Sequence, residues 1–167
     1  MSEHHNPDPL AEQLDRRRTT VLSRERAFLT VLAGAMYADD KARRSESIEL
    51  DALIGRVKTL QAIPDGERRK ARDEAIEDVK DKGVRNDRVA LACAALVKIQ
   101  EQSAKTETNP DKMLAESAFA HVCDIICTDH EVDEKEKAYL RLLEEKLGIA
   151  KDRADLIFKT IALKNEF

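Results

Sequence analysis

The chain has 167 residues, 29 of them basic and 33 acidic, and a net charge of −4 gives the molecule as a whole no attraction for nucleic-acid phosphates. Abundant Ala, Leu, Glu, Lys and Arg, with few Gly and Pro and no Trp, favour helices over sheets. No apolar run reaches the ~20 residues of a membrane span, and three cysteines, an odd number, argue against a disulfide framework.

The spacing of apolar residues predicts helices along almost the whole chain. Residues 1–8 carry little apolar character and are expected to form a flexible N-terminus, and residues 9–167 a single helical domain. In chain order, the predicted helices cover about 9–36, 46–60, 65–82, 89–99, 110–127, 133–147 and 151–163.

Capping residues predict several helix boundaries. Asp65 is expected to cap the third helix and Gly83 to end it, and either Asn86 or Asp87 to cap the fourth. Gly148 is expected to end the sixth helix in a left-handed conformation. Since residues 89–99 are apolar on most sides, the fourth helix is expected to be the most buried.

The sequence repeats at an offset of ninety positions without a gap. The apolar positions of the first and fifth helices superpose at this offset, and so do the acids that follow them. The pairs include Leu29 with Phe119, Leu32 with Val122, Asp39 with Asp129 and Glu46 with Glu136. The prediction is an all-α fold: a compact bundle of about seven helices built from two pseudo-repeated units, each a helix, an acidic link and a helix.

Each acidic link has a predicted local geometry. The residue after the first Asp, Asp40 in one copy and His130 in the other, is expected in the left-handed conformation that Asp and His tolerate. The Glu seven residues after that Asp falls in the first turn of the next helix. Its carboxylate can therefore point back toward the link.

The second link concentrates four acids that could bind a cation: Asp129, Glu131, Asp133 and Glu136. Hard carboxylate oxygens suit Ca²⁺ or Mg²⁺ better than Zn²⁺. The EF-hand pattern fails, because Glu134 stands at its glycine and Leu140 at its twelfth position.

The first copy keeps fewer of these acids. Asp39, Asp40 and Glu46 remain, but Arg43 and Arg44 stand where the second copy has acids. The second copy is therefore the stronger candidate, and Asp129→Asn is expected to weaken cation binding more than Asp39→Asn does.

An alternative interpretation needs no cation. Glu136 can simply close a capping box on Asp133, while the other acids favour the helix N-terminus through its dipole.

The segments "YADDKARRSESIELDALIG" and "CTDHEVDEKEKAYLRLLEEKLGI" resemble the paired motifs of the tellurite-resistance TerB family, the second more closely. The resemblance covers about 24–163, and Asp40 and His130 stand where the family usually has Gly. It implies a bacterial cytoplasmic protein of tellurite resistance or a metal and stress response. It also implies binding of a divalent cation and assembly with membrane-bound Ter proteins.

The cysteines, the basic residues and the absence of known catalytic motifs do not indicate a further binding site or a reaction. Cys93, Cys123 and Cys127 are expected to be small, buried, reduced cysteines. The basic run from Arg16 to Arg26 has no interleaved aromatic residue and is expected to be a solvated face. Because no phosphate loop, nucleophile elbow or zincin motif occurs, an enzyme is not expected.

The sequence thus predicts a non-enzymatic binding module that binds a divalent cation at its acidic links and docks partner proteins. The alternative is a purely structural protein–protein interaction module without metal. Neither nucleic-acid binding nor direct membrane insertion is expected.

Overall fold

A computed structural model describes residues 22–105, 113–129 and 131–166, although the side chain of Asp129 lies outside the described part. Within these ranges the fold is all-helical, as predicted, with seven α-helices and no strand. The α-helices are α1 (Arg24–Met36), α2 (Arg44–Arg56), α3 (Asp65–Val79), α4 (Lys82–Ser103), α5 (Leu114–Ile126), α6 (Glu134–Leu147) and α7 (Lys151–Asn165). Two short 3-10 helices, Leu60–Ala62 and Cys127–Asp129, follow α2 and α5.

The central element is α1. Its residues 27–36 are all buried, and it packs against α3, α4 and α5. The expectation that the fourth helix would be the most buried is wrong, because α4 buries only one face and exposes Leu91 and Val84. Small residues such as Gly34 let other helices approach α1 closely.

Two predicted helix boundaries are wrong. The side chain of Asp81 accepts a hydrogen bond from the Gly83 amide at 2.8 Å and caps α4, so Gly83 lies in the first turn of α4. A capping carboxylate at Asp81 starts a new helix before a glycine stop is needed, and Asn86 and Asp87 consequently lie inside α4.

The start of α3 also differs from the prediction. Pro64 is the N-cap of α3, and Asp65 is its first helical residue. The residue before a proline is restricted to extended conformations, and Ile63 accordingly has φ −77° and ψ 124°. Residues between α2 and Pro64 therefore form a separate connection with a 3-10 turn, and α2 itself ends at Arg56.

Helix boundaries follow the ninety-residue offset. Both α1 and α5 are 13 residues long and begin and end ninety positions apart, and α2 and α6 begin ninety positions apart as well. In addition, α2 packs against α5 and against the 3-10 turn of the second link. The two links therefore lie near each other in the fold.

Among the described helices, none is both long enough and apolar enough to cross a bilayer.

Candidate functional site

The first link places Asp39 in the interior. Its side chain is almost fully buried, since the residue is 2% exposed. One carboxylate oxygen accepts a hydrogen bond from the Lys41 amide at 2.8 Å, and the other accepts one from the Arg43 guanidinium at 3.0 Å. The next residue, Asp40, has φ 64°, which confirms the left-handed conformation predicted for it.

Glu46 and Glu136 occupy equivalent places in the two halves. Glu46 is 2% exposed and Glu136 0% exposed. The Oε2 atom of Glu46 accepts from the amide of Arg43 at 2.8 Å, and that of Glu136 accepts from the amide of Asp133 at 2.8 Å. Each glutamate thus holds the N-terminus of its own helix, α2 or α6.

The capping box predicted on Asp133 is confirmed. The Oδ1 atom of Asp133 accepts from the amides of Lys135 at 2.8 Å and Glu136 at 2.9 Å, while Glu136 returns the bond to the Asp133 amide. In the first copy Arg43 stands at this position. A guanidinium has no acceptor atom, so only the glutamate half of the box can form there.

Three of these acids act on one another across the two halves. Burial raises the pKa of Glu46 to about 7; the Arg43 amide opposes this shift, and the charges of Asp39 and Glu136 add to it. Burial also raises the pKa of Glu136, to which the charges of Asp133 and Asp39 contribute. Asp39, Glu46 and Glu136, with the Arg43 guanidinium beside them, are called the acid cluster below.

One oxygen of the acid cluster has no hydrogen-bond partner among the described residues. The Oε1 atom of Glu136 is fully buried, while Oε2 of the same carboxylate is bonded to the backbone. A buried acceptor left without a donor costs about 1–3 kcal/mol, and more when it is charged. A proton on the carboxyl group, an ordered water or a bound cation would each satisfy such an atom.

The remaining predicted ligands lie elsewhere. Asp40 faces outward, where it pairs with Lys82 at 2.8 Å, Arg85 at 2.9 Å and Lys135 at 3.0 Å. Hydrogen bonds from these three cations hold the pKa of Asp40 well below its usual range.

In the second link, Glu131 and Asp133 are exposed, and Asp133 is already engaged in capping. His130 and the side chain of Asp129 lie outside the described residues. Among the side chains that are described, no three His, Cys, Asp or Glu residues form a ready-made set of metal ligands.

Arg85 holds a position that no sequence pattern indicated. Its buried guanidinium donates to the carbonyls of Val79 at 2.7 Å and Lys80 at 3.3 Å, and to that of Tyr37, so it serves the C-terminal ends of both α3 and α1. A cation is favourable there because carbonyls and helix dipoles converge. Arg85 looks like any other charge in a polar stretch, so no spacing signal distinguishes it.

The three cysteines are buried thiols with raised pKa values. All three are free and buried, as predicted. Burial raises the pKa of Cys93 to about 12 and that of Cys127 to about 11, and it raises the pKa of Cys123 further. Thiols in this state are poor nucleophiles and poor metal ligands at neutral pH.

The fold and the site of the described residues together define a class: an all-helical fold with a buried acid cluster formed by acids from two segments ninety residues apart. No family model, curated protein or solved structure matches the chain.

Proposed function

We propose that this chain is a non-enzymatic helical binding module that holds a divalent cation of the Ca²⁺ or Mg²⁺ class at its acid cluster and docks partner proteins. The orphaned Oε1 atom of Glu136, which is fully buried and whose carboxylate lies within electrostatic range of Asp39 and Glu46, carries the proposal. A hard cation would supply the partner that no described donor provides.

The charge of the cluster supports a divalent ion. When ionised, Asp39, Glu46 and Glu136 carry three negative charges, and Arg43 supplies one positive charge. Buried charge needs compensation, and a divalent cation would supply it. The cluster has carboxylate oxygens but no sulfur or imidazole ligand, which favours Ca²⁺ or Mg²⁺ over Zn²⁺.

The cellular role proposed is tellurite resistance or a related metal-stress response in the bacterial cytoplasm. The support for it is the resemblance of the two links to the paired TerB motifs. Membrane-bound Ter proteins are the partners that the same resemblance suggests.

Titration of metal-free protein tests the cation site. Calorimetry and thermal melting with Ca²⁺, Mg²⁺, Mn²⁺ and Zn²⁺ should show binding and a raised melting temperature. Glu136→Gln keeps the shape and the bond to the Asp133 amide but removes the charge, and should weaken binding by about tenfold or more.

Asp40→Asn is the control, because Asp40 is an acid of the first link that faces outward and pairs with Lys82 and Lys135. It should bind the ion as the wild type does. No heat and no thermal shift at millimolar ion would refute the site, and so would equal losses in Glu136→Gln and Asp40→Asn.

The second candidate is a structural interaction module without metal. The capping bonds of Glu46 and Glu136 favour it, since each acid already has a structural role. The exposed side chains of Leu156 and Leu163, seven residues apart on α7, offer an apolar strip to a partner. In that case Leu163→Glu would abolish partner binding, and no ion would change the melting temperature.

A further inference from the structure

A large groove lies at the opposite end of α1 from the acid cluster. Its volume is about 1090 Å³, and α1, α3 and α4 form its walls. Leu29, Ala71 and Leu91 are among the apolar residues that line it, and Leu91 is 48% exposed. Exposed apolar concavities of this size are typical of binding sites for ligands or partner segments.

The groove begins where the N-terminal segment ends. Leu22 and Ser23 line its edge, so residue 21 enters the described structure at the groove itself. Ser23 has an extended backbone and caps α1, its hydroxyl accepting a hydrogen bond from the Arg26 amide at 3.1 Å. α1 therefore starts directly after Ser23, and the segment that precedes Leu22 is covalently joined to the chain at the edge of the groove.

Residues 9–21 have the pattern that fits an apolar groove. At about 100° per residue on a helix, Leu10, Leu14 and Val21 lie within about 40° of one another. Thirteen residues form a helix of about 20 Å, and the wall of α4 from Arg88 to Lys98 extends for about 15 Å. The segment and the groove are thus of comparable length.

The charges of the groove and of residues 9–21 are complementary. Five acidic and three basic side chains line the groove, which leaves an acidic excess. Arg26 already pairs with Glu74 at 2.7 Å and Asp78 at 2.6 Å. On the helical projection of residues 9–21, Arg17 and Arg18 lie on the two sides of the apolar stripe, from which they can reach the acidic rim.

We propose that the occupant of this groove is the chain's own N-terminal segment, residues 9–21, docked as an amphipathic helix. Its apolar stripe covers the groove's apolar lining, and its arginines face the acids of α1 and α3. The proposal is independent of the cation site.

Limited trypsin digestion of the full chain tests this docking. Trypsin cleaves after Arg16, Arg17 and Arg18, which a docked helix protects. Leu91→Glu places a charge on the groove wall and should speed cleavage at these sites by about fivefold or more, as measured by mass spectrometry. Ile48→Glu, at a residue of α2 that is 58% exposed and does not line the groove, should leave the rate unchanged.

Leu14→Glu places the charge on the segment instead of on the groove. It should raise the rate of trypsin cleavage as much as Leu91→Glu does. Equal cleavage rates in wild type, Leu91→Glu and Leu14→Glu would overturn the proposal. Protection that increases with protein concentration would also overturn it, because the groove would then hold the segment of a second copy.

Discussion

Glu46 and Glu136 are buried although their side-chain type is almost always exposed. Each commits one oxygen to the backbone of its own link, so local capping explains why a glutamate stands at the position. Capping does not require burial, however, because a surface glutamate can form the same bond. The burial beside Asp39 is the feature that makes these positions candidates for ligand binding.

The titration of Glu46 predicts a pH dependence of stability. In metal-free protein its pKa is about 7, above the ordinary value of 4.5, because burial favours the neutral form. The stabilisation by that neutral form is complete below pH 4.5 and is lost as the pH rises through 7. The free energy of unfolding should therefore fall between about pH 5 and 7.

Glu46→Gln, which stays neutral, should show a smaller fall over the same range. Urea unfolding in the presence of a chelator, at a series of pH values, measures this. Parallel pH profiles for the two proteins would contradict the assignment to Glu46.

A second prediction for a single residue concerns Gly34, where a side chain should lower the stability of the protein. A Cβ at this position would overlap the Tyr139 hydroxyl and lie 2.9 Å from Cγ2 of Val89. That hydroxyl donates to the Val31 carbonyl at 2.7 Å in the core. Gly34→Ala should therefore destabilise the protein by about 2–3 kcal/mol through overpacking and a strained hydrogen bond.

Gly55→Ala is the matched control, because a Cβ there meets nothing within 4 Å. Gly55 is an exposed residue of α2. Replacing it with Ala should raise the stability of the protein by about 0.5–1 kcal/mol. Denaturant titration of both variants gives the comparison, and a loss of stability in both would show that crowding at Gly34 is not the cause.

Local sequence patterns predicted where the helices lie along the chain. They did not predict which helix is the most buried. Apolar periodicity is a property of each segment, so all seven helices could be predicted from it. Which helix lies at the centre depends on how many neighbours surround it, and this made the prediction for α4 wrong and left α1 unrecognised. Boundaries failed where two caps competed, as at Asp81 and Gly83.

Substitution can test whether Asp81 or Asp87 caps the start of α4. Asp81→Ala removes the acceptor for the Gly83 amide and should cost about 1 kcal/mol of stability. Asp87, which the sequence suggested as a cap, lies exposed within α4, and Asp87→Ala should change stability by less than about 0.5 kcal/mol. Thermal melting of the two variants measures the difference, and the reverse ranking would place the helix start at Asp87.

For the candidate site, too, the acids themselves could be predicted from the sequence, but their meeting in the fold could not. Sequence patterns suggested Asp39, Glu46 and Glu136 as candidate ligands, because the ninety-residue offset aligned the acids of the two links. They also ranked the second link above the first as a cation site, and each link was considered by itself. Packing of α2 against α5 and the second link brings acids of both copies together, and spacing along the chain contains no information about that contact.

Across the whole molecule, the acid cluster joins the two halves. Asp39 and Glu46 come from the first half and Glu136 from the second, and their charges affect one another. A cation at this joint would contact both halves at once. Its binding would then stabilise the packing of the halves as well as the local links.

A double-mutant cycle tests whether one ion is shared. If Asp39 and Glu136 hold the same ion, calorimetry should give one ion per chain, and Asp39→Asn or Glu136→Gln alone should remove most of the binding. The double variant should then lose little more than the weaker-binding single variant, because no second ion remains to be lost. Two ions per chain, with each substitution abolishing one and leaving the other intact, would instead mean that each half binds its own ion. The joint between the halves would then depend on helix packing alone.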